Sequence, residues 1–149
     1  MAREPSAARI GERFAQAIRV GADQLNRRPR TILHGDLGDQ EIIVSAAGPR
    51  RTIDVVDWGD ALAGDPAYDF ERFMAGGPVG DPRRSVMLRP VLDAAGQPPT
   101  PAWMVHLYRA HNQLRNADWA RLYADDWIED SLSMVDQELD RAERHYRGS

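Results

Sequence analysis

The segment "HGDLGDQE", residues 34–41, places a histidine, two glycines and three carboxylates directly before a β-branched run. That run is "IIVS", residues 42–45, and a second one, "TIDVV", occupies residues 52–56. The stretch between them, "AAGPR" at residues 46–50, contains the glycine and proline that are typical of a turn. Two such runs joined by a short turn predict an antiparallel hairpin with the acidic segment at its entrance.

The predicted hairpin also indicates where acidic side chains meet. A hairpin returns the chain to its starting point, so Asp36 and Glu41 before the first strand should lie near Asp57 after the second. Converging carboxylates repel each other unless a positive charge lies between them, and Mg²⁺ typically takes one or two carboxylates together with substrate phosphates. Phosphoryl transfer needs such a metal and a carboxylate that orients the attacking hydroxyl. The simpler alternative is that these aspartates only form turns and caps.

The composition narrows the class of protein. The 149 residues are enough for one domain with a core, no apolar run reaches membrane-spanning length, and the N-terminus has no signal-peptide core. Cysteine is absent, and all 19 basic residues are arginine, so thiolate and lysine chemistry are excluded. The arginines are interspersed with 23 acids, which argues against a nucleic-acid-binding face. A cytoplasmic protein with a cationic partner or a metal fits the net charge of −4.

Apolar residues at helical spacing predict that the rest of the chain is helical, so the fold class is α+β, mostly α. Trp103, Trp119 and Trp127 recur at near-helical spacing and are expected in the core, with an aromatic substrate wall as the alternative. His106 and His111 are expected as core or rim histidines. The predicted helices span residues 6–26, Asp65-Pro66 to Gly76-Gly77, 81–94, Thr100-Pro101 onward, and 120–146.

Two segments together resemble a known family. "LHGDLGDQE" at residues 33–41, followed by "IDVVDWGDALAGDPAYDF" at 53–70, resembles the catalytic and metal-binding segments of the aminoglycoside phosphotransferases. These are kinase-fold enzymes that phosphorylate antibiotics and other small alcohols with ATP and Mg²⁺. The resemblance implies that residues 1–149 form a single domain, the helical C-terminal lobe of a protein-kinase-like fold, with a small hairpin that carries the catalytic loop.

The resemblance also implies a role for each residue of the two segments. Asp36 would be the catalytic base that orients a substrate hydroxyl, and Asp57 would bind the Mg²⁺ that bridges the ATP phosphates. Glu41 stands where the family has asparagine, and its carboxylate could still bind Mg²⁺ through oxygen. Three further residues would be structural: His34 and Gly35 would shape the catalytic loop, and Asp65 would brace it.

Some of the expected substrate contacts lie outside these segments. The family's cationic substrates bind carboxylates in this lobe, so a cationic small-molecule alcohol is compatible with the acids of the chain. A solvated helix face is the alternative interpretation of most of them. The residues assigned to substrate binding on this basis are Asp60, Asp125, Asp126 and Glu129.

The chain also departs from a kinase. About 30 residues precede the catalytic loop, so we expect the N-terminal lobe that clamps ATP, with its lysine, to be absent from this chain. A lobe without that half exposes apolar surface, which predicts a homodimer or a partner that supplies the missing lobe. The alternative from another class of function is a non-catalytic binding module, a degenerate kinase lobe that keeps the loop as a scaffold.

Overall fold

The structure is a computed structural model, and it describes residues 7–46, 51–75, 90, 94, 96 and 98–147. It consists of two compact units, a helical unit of residues 1–28 and 97–149 and a hairpin unit of residues 29–96. The described elements are, in order, α1 (Ala7–Asn26), β1 (Thr31–Leu33), β2 (Ile42–Ser45), β3 (Thr52–Val55), β4 (Leu62–Gly64), α2 (Ala67–Ala75), α3 (Ala102–Tyr123) and α4 (Ile128–Arg147), with 3₁₀ turns at Trp58–Asp60 and Asp125–Trp127. This confirms the predicted α+β, mostly α class.

The core of the helical unit forms where α1, α3 and α4 pack together. Apolar residues at helical spacing on each helix give one buried stripe, as expected for amphipathic helices. The helical spacing of apolar residues predicted these helices, although Ile18 of α1, which shares that spacing, is 41% exposed. The buried core residues are Ile10, Trp103, Met104, Leu107, Ala110, Val135 and Leu139.

A glycine in α1 makes room for the largest of these side chains. A Cβ atom at Gly21 would overlap the ring of Trp103. That ring is 3% exposed and also packs edge-on against Tyr146, with 5.4 Å between the ring centroids, so it has little freedom to move aside. The other described glycine of this helix, Gly11, has open space where its Cβ would be.

Buried polar contacts join α3 to α4. His106 Nδ1 lies 2.7 Å from Glu138 Oε2, and Arg141 makes a further ion pair with Glu138. Burial by itself would raise the pKa of Glu138, but the hydrogen bond from His106 and the charges of His106, Arg141 and Arg109 outweigh it and lower that pKa. His106 is therefore a rim histidine with a partner, as predicted.

The junction between the last two helices differs from the prediction. Instead of one helix from about residue 120, α3 continues to Tyr123 and α4 begins at Ile128. Ala124 has φ −159° and ψ 67°, which breaks the helix without the glycine or proline that usually marks such a break. The prediction that all three tryptophans are core residues is wrong for two of them, because Trp119 and Trp127 are 51% and 49% exposed.

The hairpin unit contains two antiparallel ladders. β2 pairs with β3 in the register Ile42↔Val55 to Ser45↔Thr52, which confirms the predicted hairpin. β1 pairs with β4 in the register Thr31↔Gly64 to Leu33↔Leu62, so the residues between these strands form a loop that is closed at its base. Strand β4 was not predicted from the sequence, because three residues are too few to show an alternation of apolar and polar side chains.

The helix that follows Asp65-Pro66 begins at Ala67. Its predicted end at Gly76-Gly77 and the predicted helix over residues 81–94 lie outside the described residues, apart from residues 90 and 94. Among the described residues, no helix combines the length and the apolar character that a membrane crossing requires.

The contact between Gly21 and Trp103 predicts opposite effects for the same substitution at two positions of α1. Gly11→Ala should stabilise the chain by about 0.5–1 kcal/mol, because alanine is the better helix former. Gly21→Ala should destabilise it by about 1–3 kcal/mol, because the new methyl group forces the core apart. Urea unfolding of the two variants measures both values, and equal effects would contradict this packing.

The pKa values of two side chains in the helical unit predict that the chain loses stability on acidification in two separate pH ranges. Burial, aided by the charge of Arg115, lowers the pKa of His111 from 6.5, so unfolding takes up a proton below pH 6.5 and stability falls there. The lowered pKa of Glu138 adds a second loss below its ordinary value of 4.5. Urea midpoints measured against pH should show both, and His111→Gln should flatten only the first. A stability that rises on acidification through pH 6 would refute the assignment.

Candidate functional site

The backbone of one residue of the hairpin unit, Val56, connects the segments that carry the predicted site. The N–H of Val56 donates to the backbone carbonyl of Glu41 over 2.9 Å. The carbonyl of Val56 lies 2.7 Å from Nε2 of His34, and Asp57 is the next residue along the chain. The backbones of the acidic loop and of the residue after β3 are therefore joined at Val56, as the hairpin geometry predicted.

The hydrogen bonds of His34 indicate which of its ring nitrogens carries the proton. The backbone N–H of Asp36 points to Nδ1 of the ring over 3.3 Å, so Nδ1 is the acceptor. Nε2 then carries the proton and donates it to the carbonyl of Val56. Both ring nitrogens are thus engaged in hydrogen bonds, and the ring contacts Trp58 with 5.0 Å between the ring centroids. These contacts place His34 between the loop and the residue after β3, and its loop-shaping role stays a prediction.

Gly35 allows the loop to approach the turn that follows Asp57. Its φ of +83° lies in the left-handed region that glycine enters without strain. A Cβ atom here would overlap the backbone carbonyl of Asp60 and come within 2.7 Å of the Leu62 side chain. Asp60 itself is exposed and lies in the 3₁₀ turn. The predicted loop-shaping role of Gly35 therefore has a steric basis.

The loop is braced by α2, and the residue that braces it is Asp69. Its carboxylate accepts the backbone N–H of His34 over 2.6 Å and that of Gly35 over 2.9 Å. Asp65, to which the sequence analysis gave this role, caps the helix, since its Oδ1 accepts the N–H of Ala67 over 3.1 Å. The N-cap prediction for Asp65 is confirmed, and the carboxylate that accepts the two loop amides is one helical turn further along.

Asp36 has an ionic partner. A guanidinium nitrogen of Arg72 on α2 forms an ion pair with Oδ1 of Asp36, and the two side chains are 23% and 38% exposed. The described residues contain no group of three histidine, aspartate or glutamate side chains that could hold a metal ion. The three-carboxylate corner expected from the hairpin is therefore not preformed, because the carboxylate of Asp36 is directed to Arg72.

The two residues predicted to bind Mg²⁺ flank the Val56 junction. Asp57 is exposed and adopts φ 61° and ψ 61°, a left-handed conformation that aspartate and asparagine tolerate better than most residues. Glu41 is half-buried, and its carboxylate lies against Gly38. One or two oxygen ligands of this kind fit a magnesium ion that shares its coordination with phosphates.

The remaining acids assigned to substrate binding lie in the helical unit. Asp125 and Asp126 are in the second 3₁₀ turn and Glu129 is in the first turn of α4, and all three are exposed. Their role in substrate binding stays a prediction.

Sequence reasoning missed two residues that the structure brings to the loop. Asp69 and Arg72 are three positions apart in α2 and therefore share a face of the helix. One accepts the loop amides, and the other pairs with Asp36. The signal was present in the segment "AYDFER", where an acid and a base repeat at helical spacing directly after a capping Asp-Pro pair.

Comparison with family models assigns this chain to the phosphotransferases. The model that it matches describes the phosphotransferase enzyme family (APH), and the match covers residues 2–104. The chain belongs to this family, as the resemblance of its two segments implied. It matches none of the curated proteins and none of the solved structures with which it was compared.

The brace from α2 predicts a local effect of one substitution. Asp69→Asn keeps one oxygen acceptor but places an amide donor next to a backbone N–H, which should destabilise the loop by about 1–3 kcal/mol. The amide hydrogens of His34 and Gly35 should then exchange faster with solvent, measured by NMR. Asp54→Asn, an exposed acid of β3, is the matched control and should leave both rates unchanged. Unaltered exchange in Asp69→Asn would show that another group holds the loop.

Proposed function

We propose that this chain carries the catalytic loop of an ATP-dependent, kinase-like phosphotransferase that moves the γ-phosphate to a hydroxyl of a small molecule. The observation that carries the proposal is the Val56 junction, which joins the backbones next to Asp36, Glu41 and Asp57. Phosphoryl transfer depends mainly on positioning and on electrostatic stabilisation. A fixed backbone beside several carboxylates supplies the positioning.

In this proposal, Asp36 orients the acceptor hydroxyl and takes up its proton as the phosphate is transferred. Arg72 holds the carboxylate in place until the substrate binds, because its guanidinium neutralises an otherwise isolated charge. Asp57 and Glu41 would hold Mg²⁺, which supplies charge neutralisation for the phosphates when it is bound. His34, Gly35, Asp65 and Asp69 keep the loop and α2 in place.

The composition of the chain limits its turnover. Kinases pair the nucleotide phosphates with a lysine, and these 149 residues contain none. We therefore propose that the chain corresponds to a kinase-like C-terminal lobe and that, by itself, it binds ATP weakly and turns over slowly. Exposed apolar side chains on the β2–β3 hairpin, Val44 at 60% and Ile53 at 69%, support a homodimer or a partner lobe.

The acceptor is proposed only as a class. A small alcohol is implied by the transferase chemistry, and aminoglycosides and other antibiotics, choline and sugar-like metabolites all belong to that class. The exposed acids Asp60, Asp125, Asp126 and Glu129 favour a cationic member of it. Antibiotic resistance is one physiological role compatible with such an acceptor, and the cytoplasm, where ATP is abundant, is the proposed location.

A non-catalytic binding module is the second function that a specific observation favours. Asp36 is already paired with Arg72, and Glu41 adds a negative charge where the family has a neutral asparagine. A loop that serves as a scaffold would keep its backbone contacts and lose its affinity for magnesium and nucleotide. The two functions therefore differ in what Asp57 binds.

Titration calorimetry with ADP, with and without Mg²⁺, separates the two functions. The phosphotransferase proposal predicts that Mg²⁺ strengthens nucleotide binding and that Asp57→Asn weakens it at least about tenfold, roughly 1.4 kcal/mol. Asparagine keeps the left-handed backbone that this position requires, so the substitution removes charge without disturbing the turn.

Asp54→Asn, three residues earlier in the exposed strand β3, is the matched control and should bind like the unmodified chain. Equal affinities of all three proteins, or binding that ignores Mg²⁺, would refute the enzyme and support the scaffold.

A further inference from the structure

The junction between α3 and α4 exposes a contiguous aromatic surface. Four large side chains form this aromatic tip, and their exposed fractions are 51% for Trp119, 61% for Leu122, 69% for Tyr123 and 49% for Trp127. The ring of Trp119 lies 5.1 Å from that of Tyr123 and 6.1 Å from that of Trp127, measured between centroids. The three rings therefore form one cluster that spans the end of α3 and the turn before α4.

The position of the tip argues for a role outside the core. The helix break at Ala124 turns the chain and leaves these side chains outside the buried stripe of α3 and α4. The tip also lies beyond residues 2–104, which match the family model. Contiguous exposed apolar side chains with a polar rim mark interaction surfaces, and tryptophan and tyrosine are the residues that most often dominate binding energy at such surfaces.

The rim of the tip is strongly acidic. Residues 118–130 contain five acids and one arginine, and that arginine, Arg121, already pairs with Asp118 over 3.2 Å. Glu129 and Asp130 lie in the first turn of α4, where the helix dipole also favours negative charge. Asp125 and Asp126 precede that helix in the 3₁₀ turn next to Trp127, and both are exposed. The charge of these two acids therefore remains available to a ligand.

We propose that the aromatic tip binds a cationic segment of a protein partner, in which arginine or lysine side chains alternate with apolar ones. Guanidinium and ammonium groups are attracted to the faces of tryptophan and tyrosine, and the exposed Leu122 adds apolar surface on the same helix. The acids and rings extend over two helices and the turn between them, a surface larger than a single cationic group covers. The proposal does not depend on phosphotransfer, because its test measures binding and not turnover.

NMR of the tryptophan indole N–H groups tests the proposal on the whole chain. The probe is a synthetic peptide of alternating arginine and leucine, and its control is the same peptide with glutamate in place of arginine. The signals of Trp119 and Trp127 should shift with the arginine peptide only. The signals of the buried Trp103 and of Trp58 in the hairpin unit serve as internal references and should stay unchanged. Raising the salt from about 0.05 M to about 0.3 M should weaken binding at least fivefold, because exposed charges are screened.

Charge variants complete the experiment. The double substitution Asp125→Asn with Asp126→Asn should weaken peptide binding about tenfold. Asp23→Asn with Asp54→Asn removes the same charge from two exposed positions elsewhere and should leave binding unchanged. Equal binding of the glutamate peptide would overturn the proposal. Equal binding of free arginine amide would do the same, since it indicates a small-cation site. The aromatic tip could instead be covered by a second copy of the chain. A dimer in sedimentation that does not bind the peptide would show this and would also overturn the proposal.

Discussion

The candidate site depends on two backbone hydrogen bonds of one residue, Val56. Its N–H fixes the last residue of the acidic loop, Glu41, and its carbonyl fixes the ring of His34. The same ring accepts the N–H of Asp36. A buried imidazole that uses both nitrogens in this way costs little to bury, because its polar atoms are satisfied. The β2–β3 ladder already brings Ile42 opposite Val55, and the imidazole adds a direct link from the loop backbone at Asp36 to the residue before Asp57.

Around this junction, structural demands and chemical demands are met by different residues. Gly35 allows the close approach of the backbone, and the carboxylate of Asp69 accepts the loop amides, so these two residues set the geometry. The carboxylates of Asp57 and Glu41 belong to no group of three potential metal ligands among the described residues. Arg72 compensates the charge of Asp36 while no ligand is bound. The division explains how a phosphotransferase family member can keep an acidic loop folded when no ligand is bound.

Much of this arrangement could be predicted from the sequence. The hairpin and the long helices follow from periodicity, and the meeting of the acidic segments follows from the hairpin. The roles of Asp69 and Arg72 depend on the rotation of α2 against the loop, which local spacing does not specify. The ion pair of Asp36 with Arg72 could not be predicted either, because it depends on the same placement of α2. The described residues contain no group of three metal-binding side chains, and the clustering of Asp36, Glu41 and Asp57 around Mg²⁺ stays a prediction. Trp119 and Trp127 share the spacing of core residues, but a helix break at an alanine, which carries no sequence signal, leaves them exposed.

The tautomer of His34 tests the central claim most directly. Long-range proton–nitrogen NMR distinguishes a protonated ring nitrogen from an unprotonated one in the neutral imidazole. The junction predicts that Nε2 carries the proton, that this proton exchanges slowly with solvent, and that it shows a coupling or contact to the Val56 carbonyl. A proton on Nδ1, or a ring proton that exchanges as fast as that of the exposed His145, would show that His34 does not join the loop to the hairpin. The proposed assembly of the site would then be contradicted.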